Sequence, residues 1–386
     1  MGRNLVICCD GTNNEFGGDK TNVARLRKVV LYNSDQLVYY DPGVGTLPEP
    51  TILNKIWQNF RKLVSLAFGF GLTVNVQEAY SYLMNHWEDG DRVFLFGFSR
   101  GAYTVRVLAG LLHVIGLLPP GNENLVPYLM RLYGGIREQR RGDNKEGNSK
   151  YWKLCNAFRG TFARSIAGLN SRRFPIHFMG VWDTVSSVGW IWEPHTYPYT
   201  AANPSVRKIH HAIAIDERRW FFRQNTFKGG VENQDLEELW FPGVHADVGG
   251  GYADDEGGLW RVAFEWMLDE ARSAGLLIDP DRLKAALDKA PTDRAWAEKK
   301  HESLTWKWWP AEFFPKLSYR RESGRRLPQL GLGGSRVVEE GSRIGKAALL
   351  RIREPGLDYN PPNLSASFLD MVRGLPTVPE NLPYKR

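Results

Sequence analysis

The stretch VFLFGFSRGAYTVRVLAG, Val93 to Gly110, sets one serine between two glycines where a strand-like run gives way to a helix-like one. Gly97, Phe98, Ser99, Arg100 and Gly101 form a GxSxG pattern. The pattern alone is weak, because glycines flank a serine often by chance. Here the apolar run Val93 to Phe96 precedes it and a helical run follows. Strand, sharp turn and helix, in that order, expose a serine as a nucleophile above a sheet. Gly97 and Gly101 would remove the Cβ atoms that clash in so tight a turn, and the helix amino terminus would offer N–H groups and the positive end of its dipole. The bland alternative is an ordinary strand-to-helix turn.

Other strand-like runs stand at residues 5–9, 36–40, 175–181 and 239–244, beside the run at 92–96. Several are continuously apolar, as expected of strands covered on both faces of a parallel sheet. Helix-length segments at 21–31, 74–87, 101–117 and 259–274 lie between or after them. The alternation predicts an α/β fold with a mostly parallel central sheet and helices on both faces. Residues 1–280 are read as the catalytic core. Within them, 118–173 opens on the helix stop Pro119, Pro120, Gly121 and turns polar and basic, which reads as a partly helical insertion or cap. Residues 281–386 are Pro-, Arg- and Trp-rich, an irregular extension expected to pack on the core without extending the sheet.

With 42% hydrophobic and 24% charged residues the chain is ordinary globular material, neither disordered nor fibrous. Fourteen Trp are many, and they suit either core filling or an apolar groove and a membrane interface. The net charge of +7 favours anionic partners. The basic clusters mostly have acids nearby, however, and no zinc-finger, basic-helix or RNA-recognition pattern occurs, so nucleic acid is not an expected partner. Three cysteines, two of them the adjacent Cys8 and Cys9, make neither a disulfide framework nor a four-ligand zinc site and read as small buried residues. MGRNLVICCDGT lacks a signal peptide's apolar region and cleavage site, and no run approaches the roughly 20 apolar residues of a membrane span. The expected location is the cytoplasm of the producing cell, with signal-independent export left open.

A serine hydroxyl needs a base to take its proton and a carboxylate to orient that base. His245, in LWFPGVHADVGGGYADD, follows an apolar run and precedes a Gly-rich loop, where it could swing over the carboxyl edge of a sheet. Asp183, in IHFMGVWDTVSSVG, also ends a strand-like run and gives the order Ser, Asp, His used by α/β-hydrolases. Asp247 is its rival and would need a local turn to reach the ring. His210 and His211 lie in an apolar-periodic segment with at least one facing the core. Pairing His245 with Asp247, or His210 with His211, for a metal finds no third ligand at recognisable spacing, so no metal and no cofactor is expected at the site. LVICCDGTNN ends a strand on Asp10, Gly11 and Thr12. An aspartate phosphatase would need its nucleophilic Asp at Cys8, so that reading fails. A backbone N–H of Gly11 or Thr12 could instead meet a substrate oxyanion together with the N–H of Arg100, or the three residues form a plain Asx turn.

Five blocks in order, CDGTNN, GFSRGAYTVRVLAG, GVWDTVSSVG, HAIAIDERRWFF and FPGVHADVGGGY, together resemble the catalytic domain of type VI secretion phospholipase effectors, an α/β-hydrolase family. The likeness spans most of the first two-thirds of the chain. It implies a serine hydrolase with Ser99 as nucleophile, Asp183 as orienting acid and His245 as general base, acting on acyl esters of the phospholipase A type. The expected partners are a lipid or ester substrate and a peripheral contact with a membrane surface. The oligomeric state is not legible. An esterase or thioesterase on small soluble substrates, and a catalytically silent binding scaffold, are the alternatives.

Overall fold

The computed structural model describes residues 2–11, 21–43, 56–136, 145–185, 189–190, 193–194, 197–253, 255–288, 294–306, 308–313, 316–320 and 325–385. In chain order the strands are β1 (Asn4–Cys9), β2 (Gln36–Asp41), β3 (Arg92–Phe98), β4 (Ile176–Trp182), β5 (Gly189–Trp190), β6 (Glu193–Pro194), β7 (Val206–Ala214), β8 (Asp235–Phe241), β9 (Lys316–Arg320), β10 (Arg325–Gln329), β11 (Arg343–Gly345) and β12 (Asn381–Pro383). The helices are α1 (Asn22–Val29), α2 (Ile56–His86), α3 (Arg100–Ile115), α4 (Val126–Gly135), α5 (Lys145–Phe162), α6 (His245–Gly249), α7 (Trp260–Ser273), α8 (Pro280–Leu287), α9 (Trp309–Glu312), α10 (Lys346–Arg353) and α11 (Ala366–Arg373).

Eight strands form one sheet in the order β12-β11-β8-β7-β4-β3-β1-β2. Every neighbouring pair is parallel except β11 with β12. The fold is thus α/β with a mostly parallel sheet. All six residues of β1 are buried, which is why its run is continuously apolar. Leu5, Ile7 and Cys9 point to one face and join α2, α3, α4 and α5 through Tyr80, Leu108, Leu129 and Phe158. Val6 and Cys8 point to the other and meet α1 and α7 through Leu26, Val29, Phe264 and Met267. All three cysteines are buried and unpaired with each other. Helix α1 starts where Thr21 Oγ1 accepts from the Ala24 N–H, satisfying one of the donors a helix start leaves open.

Between β1 and β3 the direction of winding reverses. After β1 the chain enters α1 on one face, and after β3 it enters α3 on the other, so the carboxyl ends of these adjacent strands open a crevice between them. Asp10 and Ser99 stand at its two lips.

Two expectations from the sequence are corrected. The carboxyl-terminal segment extends the sheet: β11 runs parallel to β8, and β12 closes that edge. Ile344, Leu349, Phe368 and Val372 then cover Ile213 and Trp240 in a third apolar cluster. Strands of three residues carry too little periodicity to be read from sequence. The run at 239–244 belongs to a strand that starts at Asp235 and stops at Phe241, where Pro242 lacks an N–H to donate. Its acidic first half hid it from an apolar criterion. The segment holding His210 and His211 is the nine-residue strand β7, paired on both sides with β4 and β8. Among the described residues no helix is long and apolar enough to cross a membrane.

Candidate active site

Ser99 is the turn between β3 and α3, at φ 58° and ψ −118°. L-residues rarely adopt a positive φ, and such strain persists only where the surroundings hold it. Here the Ser99 N–H donates to the Trp182 carbonyl at 3.1 Å, and the Val185 N–H donates back to the Ser99 carbonyl at 3.3 Å. The flanking glycines are required by backbone contact. A Cβ on Gly97 would stand 2.5 Å from the Gly101 carbonyl oxygen, and one on Gly101 would stand 2.1 Å from that of Cys9. Neither neighbour is a side chain that can turn away. Gly101→Ala should therefore push α3 off β1, costing about 1–3 kcal/mol or more of stability. It should also slow acylation of Ser99 by about 10²-fold, the effect of moving a reacting group by about 1 Å. The thermal midpoint and the rate of fluorophosphonate labelling measure the two, and an unaltered labelling rate would contradict this account of the turn.

His245 opens α6 just past β8, and Asp183 follows β4 at φ 40°. The three sequence-predicted side chains meet. Ser99 Oγ lies 2.9 Å from His245 Nε2, and His245 Nδ1 lies 2.5 Å from Asp183 Oδ2. All three are at least nine-tenths buried. The ring of His245 is held by Phe98 at 4.6 Å and by the edge of Phe222 at 5.0 Å between centroids. Asp247, the rival carboxylate, faces elsewhere: it accepts from the Val244 N–H and from His301, whose Nδ1 is 2.6 Å away.

Sequence reading missed a second layer of charge. Arg336, almost wholly buried, arrives from beyond residue 280 and grips Asp183 with both arms, Nη1 to Oδ1 at 2.5 Å and Nη2 to Oδ2 at 2.9 Å. It also donates to the carbonyls of Ala214 and Phe222. The Ala214 N–H gives Asp183 Oδ1 a further bond at 2.9 Å. Burial works to raise the Asp183 carboxyl, but the Arg336 guanidinium and His245 overcome it and hold the group well below the ordinary carboxylate range. Burial also lowers the His245 imidazole, against the opposing pull of Asp183. Glu217 holds the backbone of His245, accepting from its N–H at 3.2 Å, and accepts also from Ser303 and from Arg219, whose guanidinium lies over Phe222. Glu217 and Arg219 could have been suspected as charges inside the apolar block HAIAIDERRWFF. For Arg336, in GLGGSRVVEEG, no local signal exists.

The expected oxyanion donors fare unequally. Arg100 is the first residue of α3, so its backbone lies at the amino end of that helix beside Ser99. Gly11 backs onto Ser99, its missing Cβ direction 3.4 Å from Ser99 Cβ, but its N–H donates to Asp10 Oδ1 at 2.7 Å. That bond makes Asp10, Gly11 an Asx-type arrangement rather than an open donor. Asp10 is fixed in turn by the hydroxyls of Thr21 and Tyr40. Thr12 lies outside the described residues.

His210 and His211 are both buried on β7 and face opposite sides of the sheet. His211 bridges Glu238, at 2.7 Å from Nδ1, and the Thr184 N–H, which steadies the loop carrying Asp183. Neither contacts Ser99.

Residues 3–270 match the family model described as the catalytic domain of type VI secretion, Tle1-like phospholipase effectors. A Saccharomyces cerevisiae protein described as uncharacterized protein YEL023C is 33% identical over 234 residues, 58% of this chain and 33% of its own length. The chain thus spans about a third of that relative. Among solved structures, an uncharacterized protein from Pseudomonas aeruginosa aligns over 73% of this chain and 47% of its own at 20% identity and a TM-score of 0.40. The Tle1 effector bound to the VgrG spike of the type VI secretion system aligns over 67% of this chain and 53% of its own, at 19% identity and a TM-score of 0.31.

Proposed function

The chain belongs to the Tle1-like phospholipase effector family of type VI secretion, and from that premise we propose that it is an α/β-hydrolase cleaving carboxylic esters of phospholipids, in the phospholipase A manner, through an acyl-enzyme on Ser99. The observation that carries this reading is the unbroken chain of contacts from Ser99 Oγ through His245 to Asp183 at a strained turn. Ser99 Oγ attacks the ester carbonyl carbon while His245 Nε2 takes its proton. As the C–O bond breaks, His245 returns that proton to the leaving alcohol. Water, deprotonated by the same nitrogen, then releases the fatty acid. Asp183 orients the ring and stabilises its cationic form. The amino end of α3 supplies the positive potential for the oxyanion. Delivery by signal-independent export belongs to the same proposal.

A lipid substrate is favoured by the aromatic segment at 306–313. Trp306, Trp309 and Phe313 are exposed, and Trp308 joins them to the site through Phe222, which meets Trp308 at 5.5 Å and His245 at 5.0 Å. Exposed aromatics with a neighbouring catalytic group suit an interface between water and acyl chains. Wild-type protein should form a fluorophosphonate adduct on Ser99 and hydrolyse phospholipid vesicles. The double variant Trp306→Ala, Trp309→Ala should lose at least about tenfold on vesicles, the cost of roughly 1.4 kcal/mol of lost burial, and little on a soluble short-chain ester. Equal losses on both substrates would remove the membrane role and favour an esterase of soluble substrates. Wild-type protein that neither labels nor hydrolyses would favour a binding scaffold.

A further inference from the structure

His210 lies on the face of β7 covered by α7, and it is 2% exposed. Among the described residues neither of its ring nitrogens has a hydrogen-bond partner. A buried polar group left this way costs about 1–3 kcal/mol, so a partner is called for. The ring is fixed between Phe178, stacked at 5.3 Å, and Trp266 at 5.7 Å. Its Nδ1 edge faces two carboxylates, Glu270 Oε2 at 3.6 Å and Glu237 Oε2 at 3.9 Å.

Those separations are too long for hydrogen bonds. They are close to what one ion imposes, since ligand atoms about 2.0–2.2 Å from a tetrahedral metal stand roughly 3.3–3.6 Å apart. The three candidate ligand atoms lie within 4.8 Å of one another. Glu237 is already oriented, its Oε1 accepting from Arg343 at 3.1 Å while Oε2 faces the histidine. Outer partners of this kind hold a ligating carboxylate in place. Two carboxylates alone would be an ordinary acidic cluster. The buried imidazole, whose Nδ1 faces both and makes no hydrogen bond while its Nε2 edge lies 3.9 Å from Asp235 Oδ2, supplies the donor that a metal requires.

We propose that His210 Nδ1, Glu237 and Glu270 hold a divalent first-row transition ion of the zinc class, with water completing the shell, pinning α7 to β7 and β8. An imidazole donor favours such ions over Mg²⁺ and Ca²⁺, which take oxygen ligands. The site lies apart from Ser99, which it neither contacts nor serves. Because the ligands come from three elements, the histidine's sequence neighbours gave no third ligand.

The full chain, stripped with EDTA, should take up one Zn²⁺ by calorimetry, gain thermal stability from it by mass action, and give the absorption bands of a low-coordinate site with Co²⁺. Glu270→Gln, whose side chain is partly exposed and whose fold should be intact, should weaken Zn²⁺ binding by about tenfold or more while hydrolysis of a soluble ester stays unchanged. His210→Asn should remove the Co²⁺ bands. Should His210→Asn fail to fold, Glu270→Gln alone decides. Absence of Zn²⁺ uptake, equal affinity in wild type and Glu270→Gln, or equal binding of Mg²⁺ would each overturn the proposal.

Discussion

Replacing Ser99 with alanine should lower kcat for ester hydrolysis by on the order of 10⁵- to 10⁶-fold without unfolding the protein. Only Oγ is lost. His245 and Asp183 keep their 2.5 Å contact, and the turn is held by backbone bonds from Ser99 N–H and to its carbonyl that alanine can also make. What survives is the binding and oxyanion stabilisation that do not need the nucleophile. Because serine and histidine act as a unit, His245→Ala should cost about as much, and the double variant scarcely more than either single one. Single-turnover kinetics on the three variants test this. A Ser99→Ala enzyme within about tenfold of wild type would place the nucleophile elsewhere, whereas losses that multiply in the double variant would mean that the two residues work separately.

The second large effect is expected at Arg336, a positioning residue that touches the acid and not the substrate. Arg336→Met leaves a buried carboxylate without its guanidinium counter-ion, a change of the kind that costs about 3–5 kcal/mol of stability. It should also lower kcat by about 10²-fold, because the acid loses the two-armed grip and keeps only the Ala214 N–H at Oδ1 and His245 at Oδ2. A structural role alone would not move the pH profile. His245 must be neutral to act as a base, and burial holds its pKa below the ordinary 6.5, so the wild-type acid limb of kcat/KM should fall below pH 6.5. Removing the guanidinium strengthens the pull of Asp183 on the imidazolium, so the limb should move to higher pH. Arg336→Lys, which keeps charge but not the two-armed grip, should restore the limb more than the rate. A loss of stability with the limb unmoved would reduce Arg336 to a structural residue.

Much of the central sheet could be read from the chain because its inner strands are buried on both faces. A strand such as β1 can then be apolar at every position from Leu5 to Cys9, and the helices between strands supply the second period. The strained turn was equally legible, since only a sequence with glycine on both sides of Ser99 can bring α3 against β1 and the Cys9 carbonyl. Asp183 and His245 announced themselves as polar residues that end apolar runs. The acidic half of β8 and the short strands β11 and β12 did not, because exposure and brevity erase periodicity.

Local sequence thus determined the fold class, the turn at Ser99 and the three residues that meet there, each being a consequence of burial or backbone sterics within a few residues. Tertiary structure alone decided what holds them. Arg336 reaches Asp183 across 153 positions, and Glu217 buttresses His245 from 28 away. Such contacts are set by where the whole sheet places its edges, and a side chain whose partner lies so far along the chain leaves no pattern among its own neighbours.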